Sequence, residues 1–116
     1  LIPICFTIYG ERLYSVLDHK PKRTSLAQLK RVRNIESNPS VALLIDHYEE
    51  EWKRLWYVLI NGHAQLIHEG KEHQRATTAL QEKYQQYRGM DLNRNPVIRI
   101  TPSSVICWGD VPWNAN

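Results

Sequence analysis

The sequence contains no apolar run near the roughly 18 residues that a membrane-spanning helix requires. It has only two cysteines, Cys5 and Cys107, and its five histidines are scattered, so no structural zinc site is expected. Each cysteine lies in an apolar run and is expected as a buried thiol. The two could join only if their strands lay side by side. The opening LIPICF lacks the charged start and cleavage site of a signal peptide, and a reducing, cytoplasmic setting is the expectation. That opening is already strand-like, so a preceding helix and strand are expected in the complete protein. There is no internal repeat and no composition break, which leaves residues 1–116 as a single domain with one core.

Acidic residues are absent from Lys20 through Ile35, while this stretch carries Lys20, Lys22, Arg23, Lys30, Arg31 and Arg33. The net charge of +3 therefore hides a segregation: six cations sit here, and the remaining nine basic and twelve acidic residues give a balance of −3. A generally basic surface would suit a polyanion. A local basic spot on an acidic body suits a small anion better.

The rest of the chain reads mainly as strands. Ile2, Ile4, Phe6 and Ile8 alternate with other residues, and a turn at Tyr9-Gly10-Glu11-Arg12 leads to a second strand. Ser25-Leu26-Ala27-Gln28 matches a helix capping box. Leu29, Val32 and Ile35 then share one helix face, and Asn38-Pro39 stops the helix. Residues 40–46 form a short buried strand, followed by the polar HYEEEWK. Residues 54–68 form a long strand with Trp56, Val58 and Ile60 on one face and Leu55, Tyr57 and Leu59 on the other. Such a strand must be covered on both sides, and in so small a domain a second subunit is the expected cover. Residues 70–87 turn helical, with Ala76, Leu80, Tyr84 and Tyr87 on one face. PVIRI and SVICW follow as two short strands separated by Thr101-Pro102. Hairpin connections with few helices predict a mainly β, antiparallel barrel with helices packed outside.

The basic stretch has three readings. It can be a solvated face, a nucleic-acid surface or a phosphate site. It straddles a helix start, where free N–H groups and the helix dipole favour an anion, and Thr24 and Ser25 add hydroxyls. Nucleic acid would need a longer stripe or exposed stacking aromatics, whereas the aromatics here follow strand patterns. The Asp46-His47 pair and the Glu49–Glu51 run read as a strand end and a solvated loop rather than an acid–base pair. His63 and His68, five apart on a strand, fall on opposite faces and make no metal pair.

The segments LYSVLDHKPKRT, LKRVRNIESNPSVALLIDHY and WKRLWYVLINGHAQLI resemble the pyridoxamine 5′-phosphate oxidase-like superfamily, and within it the branch of deazaflavin-dependent enzymes. The resemblance implies a split β-barrel homodimer that binds FMN or a deazaflavin (coenzyme F-420) at the subunit interface and transfers hydride to or from a small organic substrate. A non-catalytic flavin- or haem-binding module is the alternative. It also implies roles. Lys22, Arg23 and Thr24, with Lys30 and Arg31, would hold the cofactor phosphate. The backbone of Pro3, Ile4, Cys5 and Phe6 would line the ring, beside Tyr14, Ser15 and Val16 of the neighbouring strand. Tyr57 matches a ring-contacting position, and Trp108 a C-terminal aromatic contributed across the dimer. No catalytic side chain is implied, because the ring carries the chemistry. After Trp108 the chain offers only GDVPWNAN, without the Arg- and His-bearing motif of true pyridoxamine phosphate oxidases, so that compound is not the expected substrate.

Overall fold

The computed structural model describes residues 4–17 and 24–112, with the backbone alone for residues 24–29. A hairpin, β1 (Thr7–Tyr9) and β2 (Arg12–Val16), leads to helix α1 (Thr24–Ser37). Strands β3 (Ser40–His47) and β4 (Trp56–Ile67) follow, then helix α2 (Lys71–Lys83) and strand β5 (Val97–Gly109). The five strands form one antiparallel sheet in the order β1-β2-β5-β4-β3. This is a mainly β, split-barrel-like arrangement, and among the described residues the sheet is not closed.

The hairpin turns where both Gly10 (φ 58°) and Glu11 (φ 64°) adopt left-handed backbone, the two-residue geometry that matches strand twist. With Tyr9 paired to Arg12, the polar backbone groups of Thr7 and Tyr9 face β2, and those of Phe6 and Ile8 face outward. The strand is shorter than the alternation from Ile2 to Ile8 predicts. Among the described residues it begins at Thr7, the last residue with a ladder partner on β2.

The sheet buries apolar side chains on both faces. On one face Leu13, Leu17, Val58, Ile60, Ala64, Ile98 and Ile100 form a cluster, capped by Val32 and Ile35 of α1. On the other, Tyr14, Val16 and Val97 meet Ala76 and Leu80 of α2, together with Tyr87 and Leu92. Burying a Leu or Val side chain contributes about 1.5–3 kcal/mol, so these two layers are the main source of cohesion. Helix α2 ends at Lys83, and Tyr87 reaches its buried place from a separate 3-10 turn, Gln85–Tyr87. The helix α1 opens at Thr24, one residue before the proposed Ser25 cap, whose side chain lies outside the described residues.

β5 departs most from the sequence reading, because PVIRI and SVICW are one strand of 13 residues. Pro102 is tolerated within it because β2 ends opposite Ile100, so the missing N–H faces a side with no partner strand. A bulge absorbs the irregularity: Gly62 pairs with Pro102 and Asn61 with Ser104, leaving Ser103 extra. Ser103 donates to the Asn61 carbonyl (3.1 Å), and Asn61 Nδ2 donates to Ser104 Oγ (3.2 Å). Gly62 is needed there, since a Cβ would sit 2.5 Å from the Thr101 carbonyl oxygen.

The cysteines also differ from expectation. Cys5 is half-buried, Cys107 is exposed, and both are free. Cys107 lies on β5 and Cys5 in the segment leading into β1, and β2 separates β1 from β5 in the sheet.

Candidate functional site

The long β4 organises the candidate site because its two faces meet different surroundings. Val58 and Ile60 point to the α1 side, and Tyr57 and Leu59 to the other. Helix α2 covers only the half of that second face near Val97 and Ile67. The remaining half is a grid of three strands: Leu44 beside Leu59 beside Ile106, and Asp46 beside Tyr57 beside Trp108. Leu44 and Ile106 are about half exposed, at 51% and 50%. Leu44, Leu59 and Ile106 thus form a row of partly exposed apolar side chains across three strands.

Two of the sequence-predicted residues meet here. Tyr57 and Trp108 are directly opposed on β4 and β5, with ring centroids 5.7 Å apart and an interplanar angle of 15°. Trp108 remains 52% exposed, so the stack presents a flat aromatic edge to solvent. The strand ends just beyond at Gly109, where φ is +82° and a Cβ would lie 2.1 Å from the Leu55 carbonyl oxygen. Any larger residue there would push β5 away from Leu55 and displace Trp108.

The other predicted residues are distributed around the fold. Pro3, Lys22 and Arg23 lie outside the described residues, and Thr24 opens α1. Lys30 is exposed and Arg31 half-buried on α1, and among the described residues neither makes an ion pair. Ile4 and Cys5 are half-buried in the segment before β1, and Cys5 packs against the α2 layer. Tyr14 and Val16 point into the core beneath α2, while Ser15, 2% exposed, faces the α1 side. The helix that carries Lys30 and Arg31 thus packs on one face of the sheet, and the Tyr57–Trp108 stack stands on the opposite face.

Tyr14 is also committed to a polar network. Its hydroxyl donates to Glu72 Oε2 (2.7 Å), which also accepts from Arg12 Nη1 (3.3 Å). Arg99 Nη1 donates to Glu72 Oε1 (2.9 Å), and its Nη2 donates to Gln65. The Tyr14 hydrogen bond, with help from Arg99, holds the Glu72 carboxyl below the usual carboxylate range despite the opposing effect of burial. Burial, reinforced by the Glu72 charge, pushes the Tyr14 hydroxyl above its ordinary value. Periodicity marks Glu72 only as a polar-face residue of α2. The register that brings Arg12, Tyr14 and Arg99 to it belongs to the pairing of two strands, β2 and β5.

At the far end of β4, His47 stacks on Trp56 (5.8 Å, 14°), with its Nε2 2.7 Å from Glu49 Oε2. The Glu49 carboxylate also lies 3.8 Å from Arg54 Nε. The polar excursion is therefore tied to itself, as a strand end and loop. Tyr48 and Trp52 project from it with exposures of 77% and 78%. A separate cleft of about 530 Å³ opens between the end of α1 and β4, lined by Ile35, Glu36, Pro39, Leu66, His68 and Arg99. It contains none of the predicted residues. Among the described residues there is no group of three or more potential metal ligands, and no helix is long and apolar enough to cross a membrane.

Comparisons with known proteins bear on the whole of this arrangement. No curated protein matches the chain. Among solved structures, it is similar to the conserved hypothetical protein Rv2991 from Mycobacterium tuberculosis, with a TM-score of 0.67 at 17% sequence identity. The similarity covers 90% of this chain and 64% of that one, so the chain spans less than two thirds of its neighbour's length. At that identity the likeness establishes the fold. The sequence model for pyridoxamine 5′-phosphate oxidase matches residues 20–109, from the basic stretch through α1, β3, β4 and α2 to the end of β5. That match takes in most of the chain, including Tyr57 and Trp108, and on it the protein belongs to the pyridoxamine 5′-phosphate oxidase family, whose members include oxidases and other flavin-binding proteins.

Proposed function

We propose that the protein is an oxidoreductase that binds FMN or a deazaflavin between two copies of itself and passes hydride to or from a small organic substrate. The observation that carries this reading is the family match across residues 20–109. The residues present suit such a cofactor. Lys30 and Arg31, without ion-pair partners among the described residues, provide donors for a phosphate, and Lys22, Arg23 and Thr24 are the candidates at the helix start. Tyr57 and Trp108 offer a flat apolar edge to a planar ring. When bound, the ring supplies the hydride chemistry. The chain's residues bind the phosphate, orient the ring and exclude water.

The two-copy arrangement answers a geometric problem. The basic helix and the Tyr57–Trp108 stack stand on opposite faces of one sheet, so one chain cannot present both to one small molecule. The bare grid around Leu59 gives a second copy an apolar surface to cover, and a two-fold pairing would present the same patch from both sides.

Titration with FMN and with reduced deazaflavin, followed through quenching of the four tryptophans, tests the reading. Saturation at micromolar concentration by one of the two is expected, with hydride transfer from a reduced cofactor to an electron acceptor. Binding without any turnover would favour a flavin-binding module, and a Soret band would indicate haem. No quenching by either compound at a hundred-fold higher concentration would end the proposal. The assembly has its own check. Ile106→Glu places a charge at the centre of the bare grid and should convert a dimer to a monomer in sedimentation. A wild-type chain that sediments as a monomer refutes the pairing.

A further inference from the structure

The segment Ile4–Phe6, which the family resemblance places against the cofactor ring, is not hydrogen-bonded into the sheet's ladders among the described residues. It precedes β1 and makes no ladder pair with β2. Its fastening comes from the end of α2, nearly eighty residues away. The Phe6 N–H donates to the Tyr84 hydroxyl (3.1 Å), and that hydroxyl donates back to the Phe6 carbonyl (3.1 Å). Lys83 Nζ donates to the same carbonyl (2.7 Å) and sits 4.1 Å from the centroid of the Phe6 ring. These are the outward-facing backbone groups of Phe6, where a neighbouring strand would otherwise bond. One hydroxyl, acting as both donor and acceptor, takes the place of that strand.

Tyr84 is well placed for this task. It ends α2, its backbone N–H bonds to the Leu80 carbonyl (2.8 Å), and Leu80 is fully buried. Its ring meets Tyr87 edge-on at 5.8 Å, and Tyr87 is 4% exposed. The hydroxyl therefore hangs from a rigid mount. We propose that Tyr84, assisted by Lys83, is the positioning residue that sets the course of the Ile4–Phe6 backbone for cofactor binding. The hydrogen-bonded clamp acts through the backbone and does not touch the cofactor itself. The inference rests on the function proposed above.

Tyr84→Phe isolates the hydroxyl, since the ring and its packing on Tyr87 are retained. Lys83→Met removes the ammonium and keeps most of the stem. Both are made in the full chain carrying Cys107→Ser, so that Cys5 is the single thiol. Two quantities are measured: the Kd for FMN or deazaflavin, and the rate of Cys5 alkylation with and without cofactor. In the parent, cofactor should protect Cys5. In Tyr84→Phe the Kd should rise about tenfold, the unliganded alkylation rate should increase several-fold, and cofactor protection should fall. Lys83→Met should shift the same quantities in the same direction by less. A clamp that only stabilises the fold would lower Tm and leave both the Kd and the protection unchanged, and that result overturns the proposal. If the parent binds neither cofactor, the functional reading of the preceding subsection falls and this one with it. If the parent binds and Tyr84→Phe binds equally well, only the positioning role falls.

Discussion

Replacing Lys22 and Arg23 together with alanine is expected to weaken binding of the phosphorylated cofactor by roughly 2–5 kcal/mol while leaving the fold in place. The pair lies directly before α1, which starts at Thr24. At a helix start the first N–H groups have no internal partners and the dipole favours negative charge. Two cations added there act on the same anion as those N–H groups. No acidic residue occurs from Lys20 to Ile35, so nothing in the local sequence competes for them. The effect should appear in the dissociation constant measured by calorimetry and should shrink in high salt, because exposed charge contacts are screened. Thermal melts of the cofactor-free protein should be nearly unchanged, since the role proposed for the pair is toward the bound anion and not within the fold. Lys30→Ala/Arg31→Ala is the comparison pair. Lys30 and Arg31 sit on the described part of α1, the first exposed and the second half-buried. An unchanged Kd in the first double variant with a loss in the second would move the phosphate to the middle of the helix.

Much of the fold was legible because period-two alternation leaves a strong imprint. β4 was readable from Trp56, Val58 and Ile60 against Tyr57 and Leu59. α1 and β3 were readable from Asn38-Pro39 and the apolar run after it, but that run reads as a buried strand, whereas β3 is an edge strand of the described sheet with no buried residue. The division of β5 at Thr101-Pro102 was misread for a specific reason. A proline inside a strand is unfavourable only where its nitrogen faces a partner, and sequence does not reveal that the β2–β5 ladder stops opposite Ile100. The same gap explains Cys107. Its neighbours are apolar, so it reads as buried, but the lower half of β5 extends beyond β2 and is exposed. Of the candidate site, the Tyr57–Trp108 meeting follows from two positions found by resemblance and one register. The clamp on Phe6 and the Glu72 network had no local signature. Both join residues about 58–78 positions apart through side chains that periodicity assigns simply to a polar or amphipathic helix face.

The largest expected loss of stability follows from Glu72→Ala, about 2–3 kcal/mol and a fall in Tm on the order of 10 °C. The carboxylate is the shared acceptor for Tyr14, Arg12 and Arg99. Its removal leaves the Tyr14 hydroxyl in a side chain only 3% exposed, and the Arg99 guanidinium 19% exposed, without their anionic partner. Buried polar groups left unpaired account for most of such a loss, more than the attraction that is removed. The dependence on pH separates charge from shape. In the folded state the Glu72 carboxyl titrates below its ordinary 4.5, so its contribution is complete above about that pH and fades as pH falls through the lowered value. The Tyr14 hydroxyl titrates above its ordinary 10.0, so its contribution holds up to about that pH and fades as pH rises through the raised value. Between those limits the network should contribute a constant amount. Glu72→Gln keeps the shape and one acceptor oxygen but has no charge to lose. It should melt below the wild type at pH 7, and the two curves should converge as the pH is lowered past the carboxylate range. A gap between the two proteins that stays constant from pH 7 to strongly acidic solution would show that the Glu72 carboxyl titrates alike in the folded and unfolded chain, and that the network does not favour its charged form. Because α2 also carries Lys83 and leads directly into Tyr84, loosening its first turn at Glu72 tests whether its far end can still hold Phe6. If Tyr84 remains anchored through Leu80 and Tyr87, Cys5 alkylation in Glu72→Gln should match the parent even as Tm falls, and the two ends of the helix would then serve separable purposes.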